Sequence, residues 1–168
     1  MSRNFVVFSM LVLLATVGTA FAQEPVGCDK FKWSVDKERA LLAAAAPIAS
    51  GGEMARPLSA GAKLPLAPLA DVKLPMPPGR QPKMPDSYAG FVRYAALPRA
   101  ATYRIALSEP AWIDVVQDGK EVKSVDHTGA LACEGIRKSV KFDLSASPFI
   151  IQVSGTAARE ISIVVTPD

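Results

Sequence analysis

From Tyr88 onward, apolar side chains recur at every second residue. Tyr103, Ile105 and Leu107 alternate with Thr102, Arg104 and Ala106, and Ile113 and Val115 alternate with Trp112, Asp114 and Val116. Val140, Phe142 and Leu144, then Phe149, Ile151 and Val153, then Ile161, Ile163 and Val165 repeat the pattern. A period of two with one apolar face specifies strands that bury one side against a core. Turn residues punctuate the runs at Ser108-Glu109-Pro110, Asp118-Gly119, Ser145 to Pro148 and Gly155 to Ala158. Asp-Gly between two alternating runs is a strong hairpin signal. The pattern predicts strands at 88–94, 101–107, 111–116, 120–125, 138–144, 148–154 and 159–166. Short strands at this spacing, without helices between them, predict a mainly β chain: an antiparallel β-sandwich of jelly-roll type.

The residues before Tyr88 read differently. Residues 57–85 hold eight of the chain's 14 prolines, which excludes a regular helix or a central strand. Ala62, Leu64 and Leu66, then Ala70, Val72 and Leu74, still alternate with other residues. That predicts two edge strands within 62–74, followed by an extended connection over 75–85. Further upstream, Ser34 is a candidate N-cap, Asp36 and Glu38 suit a first turn, and Leu41 to Ala46 propagate a helix that Pro47 ends. One short N-terminal helix is expected over 35–45. The chain thus divides into a leader at 1–22, an N-terminal segment at 23–56, a proline-rich stretch at 57–87 and a sandwich at 88–168.

The leader has the order of an export signal. Arg3 precedes an apolar run from Phe5 to Val17, and small residues end at Ala20-Phe21-Ala22. Cleavage there places the mature start at Gln23 and the protein in the periplasm or outside the cell. The run is shorter than the ~20 residues a membrane-spanning helix needs, so no membrane span is expected after cleavage. Lipidation at Cys28 is the rival reading; Glu24 and Pro25 separate that cysteine from the apolar run. The chain carries 19 Lys and Arg against 16 Asp and Glu, a net charge of +3 that falls to +2 when Arg3 leaves with the leader. Such a balance points to neither nucleic acid nor an anionic membrane as partner. Cys28 and Cys133 are the two cysteines, and in an oxidising compartment they are expected to pair.

Segments Tyr103–Leu107, Trp112–Gly119, Phe149–Gly155 and Ile161–Val165 follow one another in a strand-and-turn order. In this, residues 88–166 resemble the bacterial pre-peptidase C-terminal domain. The resemblance implies a small jelly-roll sandwich in an exported protein, of a kind mostly appended to secreted hydrolases. Cys28 to Leu42 lie outside it.

Few residues suit catalysis. His127 is the chain's one histidine, whereas cupin-type oxygenases hold iron with two histidines and a carboxylate. Catalytic zinc needs three converging protein ligands, and the cysteines are expected to be paired. No G-x-S-x-G elbow, Walker loop, Rossmann glycine run or CxxC appears. Ser139, His127 and Asp126 form a conceivable triad, but Ser139 falls inside a predicted strand while Asp126 and His127 suit a polar loop. Asp114, Asp118, Asp126 and Glu134 are the carboxylates available for acid–base work. Asp118 is explained by its turn, and Asp114 is expected on a solvated outer face. Calcium held by Asp114, Asp118 or Asp126 with loop carbonyls is a weaker alternative, and no cofactor is expected. Trp112, an aromatic on a strand, reads first as part of a packed face, with a sugar-stacking platform as the alternative. Arg137, Lys138 and Lys141 form a small basic cluster amid Glu134 and Asp143.

The sequence therefore predicts an exported, non-enzymatic module. Its ligand-binding candidates are Trp112, Asp114, Asp118, Asp126, His127 and Arg137, and its expected partner is an envelope protein or a polysaccharide. The alternative is a small secreted hydrolase using Asp114 and Asp126.

Overall fold

A computed structural model describes residues 24–55, 58 and 60–168 of the chain. The expected leader and the mature start at Gln23 lie outside the described residues. One helix, α1 (Asp36–Ala43), precedes strands β1 (Ala46–Pro47), β2 (Glu53–Met54), β3 (Ala62–Pro65) and β4 (Ala67–Pro68). Then come β5 (Tyr88–Tyr94), β6 (Ala101–Leu107), β7 (Trp112–Gln117), β8 (Lys120–Val122), β9 (Ser124–Gly129), β10 (Lys138–Leu144), β11 (Phe149–Thr156) and β12 (Glu160–Pro167).

The strands form two sheets. The first runs β1-β3-β12-β6-β10-β9, and the second runs β2-β5-β11-β7-β8 with β4 also pairing β5. The chain crosses between sheets after β1, β2, β3, β5, β6, β8, β10 and β11, and β7 turns directly into β8. This is the jelly-roll arrangement, two interleaved Greek keys folded into a sandwich. The Asp118-Gly119 turn makes the β7–β8 hairpin with φ of 52° and 73°, the paired positive values of a tight two-residue turn. Between the sheets lies the alternating set read from the sequence: Ile105, Leu107, Val115, Ile151, Val153 and Ile163 are all fully buried. Tyr94 stacks on Phe149 with centroids 4.9 Å apart, and burial raises the tyrosine hydroxyl's pKa far above its ordinary value.

Each sheet also has an outer face, and the first part of the chain covers much of both. On the first sheet, Phe31, Val35 and Leu42 pack over Ala106 and Val164, with Ala130, Cys133 and Ile136 closing the cluster. Glu38 is buried there, accepting a 2.6 Å bond from the Thr166 hydroxyl, and Arg104 stands 3.7 Å away. The Cys28–Cys133 disulfide ties this segment to the loop between β9 and β10. A lipid anchor would need the same Cys28 sulfur. On the second sheet the cover is a proline-rich strap, residues 69–82.

Several expectations change. The helix begins at Asp36, not 35, with Val35 rather than Ser34 at its N-cap, because Val35 is drawn into the apolar cluster. It ends at Ala43 because Ala46 and Pro47 pair with Ala62 and Lys63. Of the two expected edge strands, Ala62–Pro65 forms, but it is flanked by both β12 and β1. Ala70 to Leu74 does not form a strand. Leu69–Asp71 is a 3-10 turn, and the surrounding prolines supply no ladder donors. The single strand expected at 120–125 breaks at Lys123 into β8 and β9, one in each sheet. Asp126 and His127 consequently sit on an edge strand, not in a loop.

Replacing both cysteines with serine should lower unfolding free energy by about 2–5 kcal/mol, since the bridge spans 105 residues. An unchanged denaturation midpoint would show that the bridge staples nothing.

Candidate functional site

β7 pairs with β11 so that Asp114 lies opposite Gln152, and Trp112 opposite Ser154. All four belong to the outward register of the second sheet, since Ile113, Val115, Ile151 and Val153 fill the core. An outward aspartate on an antiparallel sheet is ordinarily solvated. Asp114 is instead only 4% exposed and Gln152 fully buried, because the strap lies over them. This corrects the expectation of a solvated Asp114.

A carboxylate out of water must be matched by donors. Asp114 accepts from the Trp112 indole Nε1 at 2.7 Å, from the Gly79 backbone N–H at 3.2 and 3.3 Å, and from Gln152 Nε2 at 3.1 Å. Gln152 then grips the strap at Met76, donating to its carbonyl and accepting from its N–H, both at 3.1 Å. Two polar side chains from adjacent strands thus replace the ladder that a proline-rich segment cannot form. A Cβ at position 79 would stand 2.6 Å from Asp114 Oδ1, so glycine is what lets the strap backbone approach the carboxylate. Beyond this anchor the strap folds into an open apolar groove of ≈530 Å³ lined by Leu69, Val72, Leu74, Met76 and nearby prolines.

Trp112 is half-buried, its indole orientation fixed through Nε1. Arg80 places its guanidinium 5.5 Å from the ring centroid, and Lys138 its ammonium 5.8 Å from it. Lys138 Nζ donates to the Ala111 carbonyl at 2.7 Å. Burial, with Arg137 and Arg80 nearby, pushes its pKa down to about 8, against a smaller upward pull from Glu24. Arg137 pairs with Glu24. Ser154, beside Trp112 in register, has a buried hydroxyl without a hydrogen-bond partner.

The other sequence candidates are dispersed. Asp118 occupies the exposed tip of the β7–β8 hairpin. Asp126 pairs with Lys141 in register, on the outer face of the first sheet. Its carboxylate takes a 2.5 Å bond from Lys32 and a 2.7 Å bond from the His127 N–H. Both contacts hold its pKa below the ordinary carboxylate value, Lys32 most of all. His127 is exposed and in register with Val140, so it faces the opposite side of the strand from Asp126. Ser139 is fully buried and accepts from the Trp33 indole at 3.2 Å, so Ser139, His127 and Asp126 do not assemble. Asp114 and Asp126 lie on opposite outer faces of the sandwich, whose sheets stand about 10 Å apart. Among the described residues, no three His, Cys, Asp or Glu side chains group to hold a metal. No described helix is long and apolar enough to cross a membrane.

Sequence reasoning missed Gln152, Gly79 and Arg80. Gln152 alone had a signal: it interrupts an otherwise apolar run, Phe149 to Val153. Compared with family models, curated proteins and solved structures, the chain matches none.

Gly79→Ala should weaken strap docking by about 1–3 kcal/mol, the usual cost of overpacking. Limited trypsin cleavage after Arg80 should then speed up roughly tenfold or more while the sandwich stays folded. Cleavage at the parental rate would refute the close approach at Gly79.

Proposed function

We propose that this chain is an exported, non-enzymatic jelly-roll module that binds a carbohydrate-bearing polymer of the cell envelope, with Trp112 as its stacking platform. The observation that carries this reading is the indole on the outer face of the second sheet, partly buried and pinned by Asp114 at 2.7 Å. A pre-oriented ring loses little freedom on binding, and an indole face suits the apolar face of a sugar. The paired cysteines and the leader pattern support a periplasmic or secreted setting. The likeness of residues 88–166 to a domain of exported proteins agrees with it. The carboxylate-based hydrolase draws no support from Asp114 and Asp126, which occupy opposite faces and are each engaged by donors.

Trp112→Ala should lower retention on purified envelope polysaccharide by about tenfold or more, with the melting temperature recorded alongside. Equal retention by a folded variant would overturn the reading, as would recovery of a protein partner with no glycan bound.

A further inference from the structure

The chain contains two tryptophans, each flanked by two cations. At Trp33, the Lys141 ammonium lies 4.4 Å and the Arg104 guanidinium 5.4 Å from the ring centroid. Asp168 neutralises both, taking a 2.7 Å bond from each, and its pKa is lowered, mainly by Lys141. At Trp112, the Arg80 guanidinium lies 5.5 Å and the Lys138 ammonium 5.8 Å from the ring centroid. Among the described residues, however, no carboxylate lies within 4 Å of either cation. Asp114 is engaged with the indole, Gly79 and Gln152. Glu24 pairs with Arg137, and Glu121 with Lys123.

Concentrated positive charge around a partly buried ammonium is unfavourable unless an anion joins it. Lys138 uses one N–H on Ala111, and an ammonium has two more to offer. The unpartnered Ser154 hydroxyl lies one strand over from Trp112 on the same outward register. From this comparison we infer that the Trp112 site takes an anionic saccharide, whose acidic group is held by Arg80 and Lys138 where Trp33's cations have Asp168. The inference rests on the proposed glycan-binding reading and adds the charge of the ligand.

The test is a glycan microarray carrying uronate-, sialate- and phosphate-bearing oligosaccharides beside their neutral counterparts, probed with the disulfide-bonded protein. The expected result is binding to acidic spots, with the preferred acid separating carboxylate from phosphate. That binding should fall about tenfold or more in Arg80→Gln and in Lys138→Met, since each removes a charge-assisted contact. Arg80 is exposed on the strap, so its variant reports on the site even if Lys138→Met fails to fold. Binding to neutral spots alone, lost in Trp112→Ala, would overturn the anionic inference and leave the glycan reading standing. Acidic binding unchanged in a folded Arg80→Gln variant would also overturn the inference. An array with no bound spot would overturn both readings.

Discussion

The carboxylate of Asp114 is the contact on which the outer face of the second sheet depends. It stands where a strand's outward register would normally meet water, and three different donors hold it there. One fixes the indole of Trp112, one fixes the strap at Gly79, and one aligns Gln152 to grip Met76. Remove the charge and each loses its partner at once, because buried polar groups in one network are not independent. The same group therefore sets the cover of the sheet and the posture of the ring proposed to meet a ligand.

A jelly roll buries one face of each sheet and leaves two outer faces to be managed. Here the segments before the main strands do that, by different chemistry on each side. The first sheet is covered by Phe31 and Val35 ahead of the helix and Leu42 on it, with Glu38 buried against Thr166 and a disulfide closing one end. The second is covered by a proline-rich strap that lacks ladder donors and is held by side chains instead. The exposed edge of β9 is protected too: Asp126 caps the adjacent His127 N–H, and Lys32 sits on the carboxylate. A residue that reads as a catalytic candidate is thus occupied in edge protection.

The strands were legible because period-two alternation is a local signal, enforced by a core that every strand shares. Runs such as Val140 to Leu144 and Phe149 to Val153 state which face is buried. The Asp118-Gly119 turn was equally plain, since its backbone needs positive φ at both positions. The disulfide followed from there being one possible pair. What remained hidden depends on contacts between residues far apart in the chain. Nothing near Asp114 announces that Gly79, 35 residues earlier, will lie over it. Nothing near Lys123 says that one polar run will change sheets there. Proline content ruled out a central strand over 57–85, yet the alternation of Ala70, Val72 and Leu74 suggested an edge strand where the chain instead leaves the ladder and docks on a sheet face.

The most direct measurement of the central claim is hydrogen exchange, by NMR, at the Trp112 indole N–H and the Gly79 amide, in the parent and in Asp114→Ala. If Asp114 holds both, the two protons are protected in the parent and exchange like exposed groups in the variant. The paired amides of β7 and β11 should stay protected throughout. Unchanged protection at both protons in a folded Asp114→Ala protein would contradict the account.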